Sequence, residues 1–370
     1  MQNYTFLASA AFGLEGIVAK ELNRLGIAAK AEIGAARFTC SLLDAYRANL
    51  CLRTADRVLM VLDEVPVTTF EALFQAVRNI PWEKYLTRDA NIHVTGKCIR
   101  SQLMSVRDCQ AITKKAIIER LRMVWRMDRF TETGAQYPIE VAIMKDVARI
   151  TLNLSGDALN RRGYRTWNGE APMRETLAAA ILDCSPWRKN LPLYDPCCGT
   201  GTILIEGAIK AMGQAAGLYR SFACDSFSFM PQDEMKKLRS TYSETQNEPS
   251  FTIQGSDIDQ SALTLCKKHI EQAGFAGDIQ VHQEDLRTLT LPMENGVFVV
   301  NPPYGERLSD QKEARALYGE LGKLLKRHPT WQMAVITSDY AFERYFGRRA
   351  TQKRRLYNGR LECELFIYRK

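Results

Sequence analysis

The sequence lacks the marks of several chemistries. It has no Cys-x-x-Cys pair among its ten cysteines, and its four histidines, His93, His269, His282 and His328, are scattered without ligand spacing, so no metal site is expected. The chain is too large to be a small disulfide-stapled scaffold, and reduced thiols in a cytosolic protein are the simplest account of the cysteines. No Gly-x-x-x-x-Gly-Lys-Ser/Thr loop occurs, which argues against a nucleoside triphosphate site of that type. The apolar run FLASAAFGL at 6–14 has no basic leader and meets Glu15 and Lys20, so neither a signal peptide nor a membrane span is indicated. A soluble, cytoplasmic protein is expected.

What is present is a core-forming composition, 46% hydrophobic over 370 residues, enough for two or three domains. The net charge of +8 is only a weak pointer to an anionic partner, but its distribution says more. Residues 97–165 hold 14 basic and 7 acidic side chains, and residues 344–370 hold 9 and 2, whereas residues 251–306 hold 3 and 8. Two basic stretches around an acidic middle are the pattern of a polyanion gripped by one set of surfaces and processed at another.

The first 155 residues alternate short strand and helix patterns, with YTFLAS as a strand, a helix over 14–26, strands in ARFTCSL and RVLMVLDEVPV, and a helix around DAYRANLCLR. This is an α+β, ferredoxin-like pattern, assigned to 1–68. A second small unit, 69–154, follows, with a long helix from about Arg107. Ser105 and Asp108 form a capping signal there, and Ile112, Ile117, Leu121, Val124 and Trp125 form an apolar stripe. The opposite face carries Lys114, Lys115, Arg120 and Arg122. It reads either as a plain solvated face or, with Lys97, Arg100 and Arg107 beside the helix start, as a polyanion surface. Residues 155–169, with Arg162 and Arg165, have no sustained period and are taken as a linker.

From 170 to 370 the pattern is α/β. LPLYD, FTIQGSD, DIQVHQ, GVFVVN and WQMAVIT are five short strands with helices between them, and an Asn358-Gly359 turn joins two final strands. A mainly parallel, Rossmann-like sheet ending in an antiparallel hairpin is expected. Residues 213–250 are irregular and are treated as an insertion.

DPCCGTG at 195–201 sits between a strand and a helix, where Gly199 and Gly201 allow a tight turn and close backbone approach to a ligand. GSDID places Asp257, with Asp259 behind it, at the next strand end, and EDL places Asp285 after the third. Each acid alone is as well read as a cap or loop carboxylate, but ligands of such sheets bind where several of them converge. NPPYGER at 301–307 is the most specific signal. An exocyclic amine is a poor nucleophile while its lone pair is delocalised into the ring. Acceptors at the Asn301 side chain and the Pro302 carbonyl hold both hydrogens and expose that lone pair, Pro303 stiffens the turn, and Tyr304 offers a stacking face.

These motifs resemble motifs one to four of class I S-adenosylmethionine-dependent amino-methyltransferases. RRGYR with APMRETLAAAIL resembles the segment that joins a THUMP domain to such a catalytic domain, and QLMSVRDCQAITKKAIIERL resembles a THUMP helix. The whole chain is similar to the THUMP-containing guanine-N2 methyltransferases of large-subunit ribosomal RNA. The resemblance implies that 69–154 is a THUMP RNA-binding domain and that S-adenosylmethionine is the cofactor. Asp195, Pro196, Gly199 and Gly201 would hold its methionine end, Asp257 and Asp259 the ribose, and Asp285 the adenine, with Glu175 and Thr176 closing over it. Asn301, Pro302, Pro303 and Tyr304 would hold the target base, and Lys97, Arg100, Arg107, Lys114, Lys115, Arg122, Arg162 and Arg165 the RNA. Adenine N6, transfer RNA as substrate, and a noncatalytic RNA-binding factor are the rivals; protein glutamine would not need the basic half. Cys197 and Cys198 lie in the cofactor loop and are not expected to act as nucleophiles.

Overall fold

The computed structural model describes residues 2–165, 173–244, 252–305 and 308–370. The chain divides into two units. The first comprises Met1–Ala10, Val18–Leu159 and Ser221–Thr241, and the second Ala11–Ile17, Asn160–Arg220 and Tyr242–Lys370. Among the described residues no helix is long and apolar enough to cross a membrane.

In the first unit β1 (Tyr4–Ser9), α1 (Glu15–Arg24, whose first turn lies in the second unit), β2 (Ala29–Glu32), β3 (Ala35–Cys40), α2 (Leu42–Cys51) and β4 (Arg57–Pro66) come first. They are followed by α3 (Phe70–Asn79), β5 (Asn91–Ile99), α4 (Val106–Trp125), β6 (Gln136–Met144) and β7 (Val147–Asn153). Side-chain oxygens of Ser41, Thr69 and Ser105 accept the backbone N–H groups of Asp44, Ala72 and Asp108, which fixes where α2, α3 and α4 begin. The strands form one sheet in the order β2-β3-β1-β4-β7-β6-β5. β4 is the seam: it pairs with β1 on one side and, from Leu59↔Asn153 to Pro66↔Val147, with β7 on the other, so the ferredoxin-like and THUMP regions share a continuous sheet.

The segment expected to be an insertion has a structural job in this unit. Phe227 stacks on Tyr137 at 4.5 Å between ring centroids, Phe229 meets Tyr85 edge-on at 5.5 Å, and Phe222 meets Tyr46 at 5.9 Å. Arg239 Nε donates to Tyr46 Oη at 2.9 Å. Such aromatic burial is worth more than its area alone, so Ser221–Thr241 belongs to the core of the first unit although its flanks belong to the second. Residues 245–250 of the expected insertion lie outside the described residues.

The second unit contains α5 (Glu175–Cys184), β8 (Leu193–Asp195) and α6 (Thr202–Met212), then, after α7 (Gln232–Glu244), which belongs to the first unit up to Thr241, β9 (Ile253–Asp257), α8 (Gln260–Gln272) and β10 (Ile279–Gln283). Then come β11 (Val297–Val300), α9 (Leu308–Arg327), β12 (Gln332–Thr337), α10 (Phe342–Phe346), β13 (Gln352–Asn358) and β14 (Leu361–Tyr368). The sheet order is β10-β9-β8-β11-β12-β14-β13. β8 pairs in parallel with both β9 and β11, and β14 pairs antiparallel with β12 and β13. From β8 the strand order runs outward in both directions, so the crevice at the carboxyl ends of β8 and β11 is a topological switch point, the place where such sheets bind ligands.

Candidate active site at the switch point

Asp195 ends β8 and is 1% exposed, and its Oδ1 accepts the Cys197 N–H at 3.0 Å. Gly199 N–H donates to Asp257 Oδ2 at 2.8 Å, and Asp257 Oδ1 accepts the Asp259 N–H at 3.0 Å. Asp257 thereby ties the loop after β8 to the end of β9. The two glycines do different things. Gly201, at φ +84°, has no room for a side chain, since a Cβ would come within 2.6 Å of Cys266 Sγ. Gly199, at φ +52°, faces open space, which leaves its backbone approachable by a ligand.

Two cavities flank this loop and share Cys197. One, of about 410 Å³, is lined by Asp195, Gly199, Thr202, Asp259 and Asn301 among others. The second, of about 510 Å³, is lined by Pro196, Asp257, Ile258, Asp285 and Pro303 among others. Burial holds the Asp195 carboxyl well above the usual carboxylate range, opposed by the Cys197 N–H and reinforced by the charge of Asp257. No cation pairs with Asp195 among the described residues. A buried acid in that state is suited to a ligand that brings a positive charge.

The remaining expected residues are placed unevenly. Asp259 caps α8, its Oδ1 accepting the Ser261 N–H at 2.8 Å and hydroxyl at 2.6 Å, so its carboxylate is engaged in the helix start while still bordering the first cavity. The Ser261 hydroxyl holds its carboxyl below the usual value. Asp285 borders the second cavity, but Arg287 Nε reaches both its oxygens at 2.9 and 2.8 Å and lowers its pKa. Arg287 is a residue that sequence reasoning missed.

Asn301 follows β11, and its Oδ1 accepts the Tyr304 hydroxyl at 2.7 Å. The expectation for Tyr304 therefore needs adjusting: it offers a ring, but its hydroxyl also occupies the acceptor that a target amine would use. Tyr318, fully buried, donates to the Pro303 carbonyl at 3.4 Å and lies 3.0 Å from Thr337 Oγ1, bracing the loop from α9. Glu306 and Arg307, the end of the motif, lie outside the described residues.

Four of the expected site residues lie within the packing of the second unit. Arg162, expected to contact RNA, is buried and forms an ion pair with buried Glu206, Nε to Oε1 at 3.1 Å, with side-chain exposures of 3% and 0%. Arg165 is likewise turned inward, pairing with Glu175 at 3.1 Å and donating to Thr202 Oγ1 at 2.5 Å. Glu175 is paired with Arg165, and neither it nor buried Thr176 is among the described residues lining the two cavities, whereas Met173 reaches the first one. For the three charged residues the physical reason is shared: Arg162 and Arg165 reach Glu206 on α6 and Glu175 on α5, which pack together, and charges removed from water there must be paired.

In the first unit Arg100, Arg107 and Lys115 are exposed and without a carboxylate partner among the described residues. Lys97 pairs with Glu140 at 2.9 Å, Lys114 with Glu132 at 2.8 Å and Arg122 with Glu119 at 3.5 Å, and Arg120 forks onto Glu83. The helix face is thus less positive than its lysine and arginine count implies.

Burial pushes the Cys197 thiol well above its ordinary value, and Asp195, Asp257 and Asp285 push it further, which disfavours the thiolate that nucleophilic chemistry requires. Replacement of Cys197 by Ser is expected to leave kcat within about tenfold of wild type, whereas loss of a covalent nucleophile costs several orders of magnitude. Single-turnover methyl transfer by the variant checks this.

With this geometry in hand, comparison with known proteins decides the family. The model of the RMKL-like methyltransferase domain matches residues 162–367, that of the RlmL ferredoxin-like domain matches 5–59, and that of the THUMP domain matches 67–153. The chain belongs to the RMKL-like methyltransferase family. It is 39% identical to the putative RNA methyltransferase YpsC of Bacillus subtilis, over the whole of this chain and 96% of that one. It is 35% identical to the ribosomal RNA large subunit methyltransferase K/L of Methylococcus capsulatus, over 98% of this chain but 51% of that one, so it spans about half the length of the K/L relatives. The crystal structure of SMU.472, a putative methyltransferase complexed with SAH, matches with a TM-score of 0.94 at 36% identity, covering 100% of this chain and 98% of that one. The Rossmann-like class I methyltransferase fold behind a ferredoxin-like and THUMP region is therefore as the sequence led one to expect.

Proposed function

We propose that the protein transfers the methyl group of S-adenosylmethionine to the exocyclic N2 amine of a guanosine in RNA, with large-subunit ribosomal RNA as substrate. The observation that carries this reading is that Asn301 lines the same cavity as Asp195 and Gly199, so a methyl donor seated on the acids lies beside the amine-binding loop. The residues fit that cofactor. Asp195 is a buried acid with no cation paired to it among the described residues, Gly199 leaves its backbone approachable, and the second cavity is bordered by Asp257, Asp285 and exposed Ile258, a set suited to a ribose and a purine. When bound, the cofactor supplies an electrophilic methyl on a sulfonium.

The chain's own residues do the rest. Asn301 Oδ1 and the Pro302 carbonyl accept the hydrogens of the target amine and keep its lone pair out of the ring, with the Tyr304 hydroxyl yielding its place on Asn301. Tyr318 and Pro303 keep the loop rigid. Alignment of two reactants in this manner is worth on the order of 7 to 11 kcal/mol. The THUMP domain match, the exposed Arg100, Arg107 and Lys115, and the similarity to RNA methyltransferases support RNA over protein as substrate.

The test is incubation of the purified protein with labelled S-adenosylmethionine and, separately, undermodified large-subunit ribosomal RNA, transfer RNA, and DNA; incorporation into the first alone is expected. Labelled DNA would instead refute the reading. Charge reversal at Arg107 and Lys115 is expected to reduce the slope of log affinity against log salt by about 0.7 to 0.9 for each phosphate no longer neutralised, leaving cofactor affinity unchanged. A filter-binding titration between low and moderate salt measures it.

A further inference from the structure

The basic C-terminal stretch is only partly neutralised within the second unit. Lys353 pairs with Glu343 and Glu364, Arg355 pairs with Glu362 at 3.2 Å, and Arg354 donates to the Gly13 carbonyl at 2.9 Å. Lys326, Arg348, Arg369 and Lys370, by contrast, have no carboxylate partner among the described residues, and they meet around one cavity of about 650 Å³. No acidic side chain is among its described lining residues.

The cavity is built rather than incidental. The Arg348 guanidinium lies over the Tyr368 ring at 5.9 Å from its centroid, and Arg348 Nη2 donates to the Arg369 carbonyl at 3.3 Å. Tyr368 returns a bond from its hydroxyl to the Arg348 carbonyl at 3.2 Å and stacks on Phe346 at 4.3 Å. Gly322 lets α9 touch the backbone of Phe346, where a Cβ would come within 2.1 Å of a carbonyl oxygen. Rigid aromatic and backbone contacts thus position Arg348. Lysines in the last turn of a helix also complement its dipole, which accounts for Lys326 but not for Arg348, Arg369 and Lys370, which come from other elements.

The location separates this cavity from the active site. Met333 near the start of β12 pairs with Tyr368, while Thr337 at the other end of β12 touches Tyr318 below the Asn301 loop. The four residue steps between them span roughly 13 Å. The two cavities at the switch point, moreover, are lined by Asp257, Asp259, Glu284, Glu313 and Glu320, and by Asp285 paired with Arg287, an acidic excess that repels a polyanion. The catalytic unit needs an attractive surface elsewhere to hold its own substrate strand.

We infer that the cavity around Lys326, Arg348, Arg369 and Lys370 is a phosphodiester-binding site that holds a segment of the substrate RNA roughly 13 Å or more from the target nucleotide. This rests on the RNA reading proposed above. The experiment compares wild type with Lys326→Ala/Arg369→Ala/Lys370→Ala, measuring affinity against salt for a full-length ribosomal RNA domain and for a short hairpin around the modified nucleotide. For the long RNA the log–log slope is expected to fall by about 2 to 3, from three phosphates at roughly 0.7 to 0.9 each. For the short hairpin, for cofactor affinity and for kcat at saturating RNA, no change is expected, and Lys326→Arg/Lys370→Arg is expected to keep the wild-type slope. Equal slopes for wild type and triple variant on the long RNA would overturn the inference. So would calorimetric binding of ADP that only the triple variant loses while the RNA slopes stay equal, since the ligand would then be a free nucleotide. A wild-type protein with no affinity for either RNA refutes the function proposed above and the inference with it, and so is told apart from failure at this cavity alone.

Discussion

Replacement of Asn301 by Ala is expected to lower kcat by at least about 10³-fold while leaving S-adenosylmethionine affinity within about twofold of wild type. A single positioned hydrogen-bonding group at a reacting centre contributes about 10² to 10³ in rate, and Asn301 has a further task, since its Oδ1 also anchors Tyr304 and so the shape of the loop. The cofactor acids Asp195 and Asp257 are bonded to Cys197, Gly199 and Asp259, none of which depends on Asn301, so binding survives. Cofactor calorimetry beside single-turnover kinetics separates the two effects. A variant that keeps turnover would remove the amine-activation role. Tyr304→Phe is informative next to it: it frees the acceptor but loses the anchor, and a fall in kcat smaller than that of Asn301→Ala is expected.

The second large effect is on stability and comes from a residue first read as an RNA contact. Arg162→Met takes the paired cation away from Glu206, a fully buried carboxylate on α6, and is expected to cost about 3 to 5 kcal/mol of unfolding free energy. The double variant Arg162→Met/Glu206→Leu removes both charges and is expected to regain most of that stability, because an apolar pair of similar volume replaces an ion pair that was costly to bury. Urea denaturation of the three proteins measures this. If Arg162→Met were as stable as wild type and lost only RNA affinity, the inward reading of this side chain would be wrong.

The contrast between these two residues shows where the sequence was informative. Strand ends and turns are local chemistry, so Asp195, Gly201, Asp257 and the Asn301 loop were legible from short motifs, and the structure brings them to one crevice because β8, β9 and β11 are neighbours. The first strand, Tyr4–Ser9, and the closing hairpin at Asn358 and Gly359 were equally legible, one from its apolar run and the other from its turn residues. Arginine is less local. Arg162 and Arg165 look the same in sequence as Arg100 and Arg107, and only the partner carboxylates Glu206 and Glu175, 44 and 10 residues away, decide which are buried. Long-range pairing also hid the role of Ser221–Thr241, whose aromatic residues meet Tyr46, Tyr85 and Tyr137, far off in the chain. The short strand Ala29–Glu32 escaped for a different reason: it is an edge strand of four residues with little apolar character to mark it.

The central claim is methyl transfer to guanine N2 in RNA, and mass spectrometry of nucleosides tests it most directly. Total RNA from cells with and without this protein would be digested and compared, fraction by fraction, with RNA methylated by the purified chain. The account predicts that N2-methylguanosine in large-subunit ribosomal RNA disappears with the protein and is restored by wild type but not by the Asn301→Ala variant. Loss of N6-methyladenosine instead, or loss of N2-methylguanosine from transfer RNA alone, would contradict it.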